Sequence, residues 1–82
     1  MISDALMNKH KIQKVWSSSK REDGLAIGFL RAYLGECTDG KWLIVILDKS
    51  WKESEVLLMN TRDTAVKRIR ERGFLTRMCK IN

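Results

Sequence analysis

Two segments of the chain are apolar on both of their faces, and no other feature of the sequence constrains the fold as strongly. Residues 42–48 alternate between two apolar sets, with Leu43, Val45 and Leu47 on one side and Trp42, Ile44 and Ile46 on the other. Residues 25–34 follow a similar pattern, interrupted only by Arg31. A strand with two apolar faces lies inside a sheet and is covered twice, so we expect a helix packed on the sheet or closure into a small barrel.

A turn signal joins these two segments. Asp39-Gly40 stands between them, and Asp-Gly between apolar runs favours a type I′ turn, in which both central residues take positive φ. We therefore predict an antiparallel hairpin of 25–34 and 42–48. A second pair, Asp23-Gly24, closes a polar stretch that begins at Ser17 and is the only candidate linker.

The N-terminal residues predict a helix from Ser3 to about Val15, because Ser3 or Asp4 can cap its first turn. The end of this segment has a second interpretation. In it, Ile12 to Ser19 forms the first strand of a meander.

The C-terminal third predicts a basic helix over 62–72. Thr61 can cap it, Asp63 suits the positive end of the helix dipole, and Gly73 supplies a stop. A rival interpretation makes 66–72 a strand.

The segment before that helix is ambiguous. Residues 50–53 match a capping box, which predicts a helix that begins at Trp51. In the rival interpretation 55–60 is a strand.

These elements make an α+β domain the first prediction, with an N-terminal helix, a small antiparallel sheet built on the hairpin 25–34/42–48, and a basic C-terminal helix. The whole chain, 1–82, is expected to be a single domain, because 82 residues leave no room for a second core. The hydrophobic content of 44% argues for a packed core. The alternative is a small SH3-like or Sm-like β-barrel with an N-terminal helix.

The barrel alternative follows from a resemblance to Sm and Sm-like RNA-binding proteins. The spacing that resembles their first signature is that of Asp23, Gly24, Gly28, Leu30 and Tyr33. Leu43 to Asp48 resembles the next strand of the family, and Ala65 to Ile69 resembles its last strand. The resemblance implies a five-stranded bent barrel that forms rings and binds single-stranded RNA. Leu34 and Trp42 depart from it, because the family has Asp and Asn at or near these positions.

The longest apolar run, Trp42 to Leu47, is far shorter than the ~20 residues that span a bilayer. The first twenty residues have no apolar core of the kind found in secretory signals. The two cysteines, Cys37 and Cys79, are too few for a disulfide framework, so we expect reduced thiols, with a Cys37–Cys79 bridge as the other possibility. Together these features predict a soluble, cytoplasmic protein without membrane contact.

The formal net charge is +6, and the bases are concentrated at the two ends of the chain. Residues 1–21 carry five bases and one acid, residues 22–60 carry four bases and seven acids, and residues 61–82 carry seven bases and two acids. If the ends fold side by side, they form one positive surface, which attracts polyanions. Arginine outnumbers lysine five to two in the last segment, and guanidinium groups suit bidentate phosphate contacts.

Residue types that catalysis needs are scarce. His10 is the single histidine, and no nucleophile-elbow, zinc-protease or phosphate-loop motif occurs. Cys37 with His10 as its base is the one candidate nucleophile pair, and Glu36 with Asp39 would supply just two ligands to a metal. We expect no enzyme activity, no metal and no cofactor.

We interpret the sequence as a non-catalytic binding module that contacts a polyanion, with nucleic acid (DNA or RNA) as the leading partner, through its basic C-terminal segment. The residues expected at that contact are basic side chains from both ends of the chain: Arg62, Lys67, Arg68, Arg70, Arg72 and Arg77, helped by Lys9, Lys11 and Lys14. The alternative is a small modulator or inhibitor that binds an acidic partner protein. Trp16 and Trp51 border polar segments, and an exposed Trp suits base stacking and a protein–protein hot spot equally well. Either function is compatible with a homo-oligomer.

Overall fold

The structure is a computed structural model, and it describes residues 2–21, 29–74 and 77–81. The elements in these ranges are, in chain order, α1 (Asp4–Lys9), β1 (Ile12–Arg21), β2 (Phe29–Cys37), β3 (Trp42–Leu47), β4 (Glu53–Met59), α2 (Arg62–Glu71) and β5 (Cys79–Lys80). The strands form one antiparallel sheet in the order β4-β3-β2-β1-β5. The predicted α+β class is confirmed, and the first strand lies beside the last.

Strand β3 is buried on both faces, as its sequence predicts. Toward α2, the buried cluster consists of Ala32, Leu34, Ile44, Ile46, Ala65, Ile69 and Phe74. On the opposite face the buried residues are Ile2, Val15, Cys37, Leu43, Val45 and Leu47, with Leu6 and Met7 of α1 packed against them. Full burial of one such aliphatic side chain contributes about 1.5–3 kcal/mol, so the double cover of β3 is a large share of the driving force for folding.

The predicted hairpin forms between β2 and β3, but its turn is not type I′. Only Gly40 takes positive φ there, at 87°. Its amide donates to the Cys37 carbonyl at 3.1 Å, and the Cys37 amide donates to the Lys41 carbonyl at 2.9 Å. This pattern is a three-residue loop, a type I turn followed by a left-handed glycine. The start of the predicted first strand, 25–28, and the Asp23-Gly24 turn lie outside the described residues.

The N-terminal helix is shorter than the sequence predicts. It ends at Lys9, and β1 begins at Ile12, so the interpretation of 12–19 as a strand is the correct one. Lys11 takes a φ of 50° between the two elements, which stops the helix. The strand wins because it buries Val15 in the sheet. The candidate linker is wrong from Ser17 to Arg21, which belong to β1.

The predicted helix at Trp51 is also wrong, because a turn centred on Asp48 replaces it. The Asp48 carboxylate accepts from the amides of Ser50 at 2.8 Å and Lys52 at 3.1 Å, and the Asp48 amide donates to the Lys52 carbonyl at 2.8 Å. Trp51 takes a φ of 62° and is exposed. The strand interpretation of the following residues is confirmed, since β4 packs Leu57 against the core.

Helix α2 confirms the C-terminal helix prediction. The Thr61 hydroxyl accepts from the Thr64 amide at 3.2 Å, and Gly73 ends the helix with a φ of 85°. Because 65–69 is helical and β4 and β5 are sheet edges, the described residues form an open sheet, and the Sm-like barrel and the strand at 66–72 are wrong. Of the helices in the described ranges, none has the length and apolar character needed to cross a membrane.

Two cross-strand valines test the double cover. Val45 and Val56 lie opposite each other in β3 and β4, but Val45 is 0% exposed and Val56 is 40% exposed. We expect Val45→Asp to abolish the cooperative thermal transition, because its charge would be buried without a partner. Val56→Asp, the matched control, should still melt cooperatively. A cooperative transition of Val45→Asp near the parent Tm, followed by circular dichroism, would contradict a covered β3.

Candidate nucleic-acid interface

Two tryptophans meet on the face of the sheet that carries α2. The ring centroids of Trp16 in β1 and Trp42 in β3 lie 5.7 Å apart, and the ring planes are tilted by 37°. Both side chains are half-buried, because they pack against the core cluster under α2. Helix α2 packs on β2, β3 and β4, so the β1 end of the pair lies beside the helix.

Two lysines flank Trp16 on the same face. Lys80 of β5 is its cross-strand partner, and paired residues in an antiparallel sheet share a face. Lys14 precedes Trp16 by two positions in β1, and alternation places it on that face too. Both lysines are exposed. The pairing of the first strand with the last brings the two basic ends of the chain together at this point.

Arg62, the first residue of α2, supplies a third cation. Its guanidinium carbon lies 6.0 Å from the centroid of the Trp42 ring. This is the outer limit of a cation–π contact, which at exposed sites is worth about 0.5–1 kcal/mol, so the guanidinium is positioned without being held tightly. Arg70 lies eight residues further along α2 and is rotated by roughly 80° from Arg62 toward the outer face of the helix.

The arginines on the other side of α2 form ion pairs within the molecule. The Glu55 carboxylate in β4 lies 2.9 Å from a guanidinium nitrogen of Arg72 and 3.9 Å from one of Arg68. The buried row of Ala65 and Ile69 separates these two arginines from Arg62 and Arg70. Of the predicted phosphate contacts, Arg68 and Arg72 therefore share one acid of the chain itself.

The remaining predicted residues are dispersed. Lys67 is exposed on the outer side of α2. It is spaced by four residues from Asp63 and from Glu71, so this row of the helix carries both signs of charge. Arg77 is exposed just before β5.

Lys9 and Lys11 lie elsewhere. They line a shallow depression with His10, Thr38 and Asp39 at the turn between α1 and β1. Because α1 packs on the face opposite to α2, the structure does not bring these two lysines to the tryptophan pair.

Sequence reasoning missed the pairing of Trp16 with Trp42 and the role of Lys80 beside them. The sequence contains part of the signal for this site. If 12–19 is a strand, Lys14 and Trp16 are two positions apart and therefore share a face. The contact between Trp16 and Trp42 has no local signal, since 26 positions separate them along the chain.

The two thiols differ in their exposure to solvent. Both cysteines are free, with Cys37 buried and Cys79 exposed. Burial raises the pKa of the Cys37 thiol, and the nearby Asp39 carboxylate raises that pKa further. Within the described ranges, no group of three or more His, Cys, Asp or Glu side chains is arranged to hold a metal ion.

Comparison of the chain with models of protein families, with curated proteins and with solved structures finds no match.

Thiol titration tests the assignment of the cysteines. We expect the folded protein to react with a disulfide reagent at Cys79 alone. The reactive species is the thiolate, and Cys37 is buried and its thiol has a raised pKa. Cys79→Ser should therefore show no fast phase at pH 8. Unfolding in guanidinium chloride, the control, should expose the second thiol. A fast phase that persists in folded Cys79→Ser would show that Cys37 is accessible and reactive.

Proposed function

We propose that this chain is a non-catalytic module that binds single-stranded nucleic acid. The contact is made by the surface formed by Lys14, Trp16, Trp42, Arg62 and Lys80, which we call the tryptophan surface. The observation that carries the proposal is the tilted tryptophan pair with cations on the strand, helix and sheet edge around it.

Stacking supplies the first part of the binding energy. Each base stacked on an aromatic side chain is worth about 1–3 kcal/mol, and every base offers a π-face, so such contacts tolerate different sequences. Trp16 and Trp42 are half-buried and packed against the core, so little conformational freedom is lost when a base docks. Unpaired strands expose the bases that these rings require, which favours single strands over duplexes.

Phosphate contacts supply the second part. Lys14, Lys80 and Arg62 surround the rings. Glu36 is the cross-strand partner of both Lys14 and Trp42, so its carboxylate lies within this surface, where the three cations outnumber it. Asp63 follows Arg62 in α2. Glu36 already accepts a hydrogen bond from the Gln13 side-chain amide at 3.3 Å. The overall charge of +6 adds a long-range attraction for a polyanion.

The outer face of α2 is less suited to the contact. Asp63, Lys67 and Glu71 form its exposed row, and two acids beside one base leave a net negative charge, which repels phosphates. A helix that enters the major groove of a duplex presents such an exposed row to the bases. The distribution of charge therefore favours the sheet side of the helix.

Fluorescence polarisation with a labelled single-stranded oligonucleotide, titrated at several salt concentrations, tests this proposal. Each lost phosphate contact should reduce the slope of log affinity against log salt by about 0.7, so we expect that reduction for Lys14→Gln and for Arg62→Gln. Trp16→Leu should weaken binding by roughly 5- to 150-fold, which is the loss of one stacked base.

Lys52→Gln is the matched control. Lys52 is an exposed lysine in the turn between β3 and β4, so its removal lowers the net charge equally without touching the tryptophan surface. A flat salt slope, or equal effects of Lys52→Gln and Arg62→Gln, would refute the proposal. Capture of one acidic protein that survives nuclease treatment, together with no affinity for oligonucleotides, would favour the modulator alternative.

Release of the two internally paired arginines provides an independent prediction. Glu55→Gln should free Arg68 and Arg72 and so increase oligonucleotide affinity and steepen the salt slope. The free energy of unfolding should change by less than about 1 kcal/mol, because ion pairs of exposed guanidinium groups contribute little.

Glu53→Gln is the control for this second prediction, since it removes the same charge from the same strand. It lies opposite Leu47, on the face away from α2. A smaller gain in affinity is expected for Glu53→Gln than for Glu55→Gln. Equal gains would show that only the net charge matters and that the arginines near β4 are not available to the ligand.

A further inference from the structure

The outer edge of β4 exposes apolar side chains in a regular strand. Val56 and Leu58 are 40% and 44% exposed, and both point to the face opposite to α2. No charged residue occurs between Val56 and Met59. In the sheet formed by the described strands, β4 pairs with β3 on one side and is terminal on the other.

Only the first part of this edge is protected against pairing. A register shift between β3 and β4 leaves Ser54 unpaired, and the Ser54 hydroxyl donates to the Ile46 carbonyl at 3.0 Å. Bulges and charges are common ways of blocking an edge, and proline is another. The chain has no proline, and beyond the bulge the stretch Glu55–Met59 pairs regularly with β3. The opposite edge, β5, is protected by its length of two residues.

We propose that a second copy of this chain pairs with β4 in antiparallel orientation, about a two-fold axis at Leu57. The regular stretch Glu55–Met59 is centred on Leu57, so this axis pairs the whole stretch with itself. A symmetric antiparallel pair requires an axis perpendicular to the sheet, and paired residues then share a face. Symmetry alone would allow the two-fold axis to pass through Leu57 or through either of its neighbours in β4.

The exposed apolar residues distinguish between these positions of the two-fold axis. With the axis at Leu57, Val56 of each protomer lies opposite Leu58 of its partner, and the four exposed side chains form one apolar cluster. With the axis at Val56, Leu58 would face Ser54 of its partner and Glu55 would face Leu57. With the axis at Leu57, Glu55 faces Met59 of its partner, so Glu55 opposes an apolar residue at either of these two centres. An axis at Leu58 would place Val56 opposite Asn60. The Leu57 axis is therefore the one that pairs the two exposed apolar residues, Val56 and Leu58, with each other and removes both from water.

The size of the contact sets its strength. Five residues on each side bury less than the roughly 1,200–2,000 Å² of a standard stable interface, so the dimer forms reversibly and depends on concentration. The axis leaves both α2 helices on the same face of a continuous ten-stranded sheet. The tryptophan surface lies toward β1 and stays accessible, and the dimer does not depend on nucleic-acid binding.

Sedimentation velocity over a hundredfold range of concentration tests the dimer, with nuclease-treated protein free of nucleic acid. The weight-average mass should rise from 9.5 kDa toward twice that value. Val56→Lys and Leu58→Lys should each remain at the monomer mass while melting cooperatively. Ile81→Lys is the matched control, because Ile81 is 51% exposed beyond β5 at the other edge and its variant should behave as the parent does. A monomeric parent at all concentrations, or a dimer that survives both β4 variants or is lost in Ile81→Lys, would overturn the proposal.

Cysteine cross-linking tests the axis. In a Cys79→Ser background, an oxidised mixture of Val56→Cys and Leu58→Cys chains should form mainly the mixed covalent dimer, because directly opposed residues come within disulfide range. Each variant oxidised alone should cross-link at least several-fold less. Preferential cross-linking of Val56→Cys with itself would overturn the Leu57 axis.

Discussion

Burial of β3 on both faces dictates how the other elements are arranged. Leu43 to Leu47 are all buried, so each face of the sheet needs a layer. Helix α1 contributes to one layer and α2 to the other. Because α2 packs on β2, β3 and β4, its first residue, Arg62, lies above Trp42. On the β1 side of that face, Lys14 and Lys80 remain exposed beside Trp16. The candidate interface is therefore a consequence of how the core is covered.

Helix α2, which covers one face of the core, also determines which of its arginines pair with an acid of the chain and which remain available to a ligand. One side of the buried row of α2 directs Arg68 and Arg72 to Glu55, and the other side places Arg62 over Trp42. Clustering of arginines in the sequence therefore overstates the charge available to a ligand. The pairing of β1 with β5 compensates, because it brings Lys80 to Trp16 from the far end of the chain.

The two proposed contacts occupy opposite ends of the sheet. The tryptophan surface lies toward β1 and β5, and the dimer edge is β4. Pairing through β4 therefore leaves both tryptophan surfaces free and on one face, where two linked sites on one strand of nucleic acid would reinforce each other. The two contacts also depend on different interactions. Nucleic-acid binding at the tryptophan surface depends on charge and so on salt, whereas the dimer depends on the apolar area buried at β4.

The elements whose signals are local follow from the pattern of residues. Alternation in 42–48 specified a doubly covered strand, and Thr61 with Gly73 bounded α2, because caps and alternation act within a few residues. Where local signals compete, in 10–15 and 50–59, the outcome depends on packing in three dimensions. There the capping box at Ser50 lost to the Asp48 turn and to the burial of Leu57 in the sheet. The tryptophan pair and the Arg72–Glu55 contact were likewise beyond the sequence, since both join residues that only the strand order makes neighbours. Helix propensities differ by only a few tenths of a kcal/mol per residue. They are outweighed by the burial of apolar side chains in the sheet, which contributes about 1.5–3 kcal/mol for each side chain.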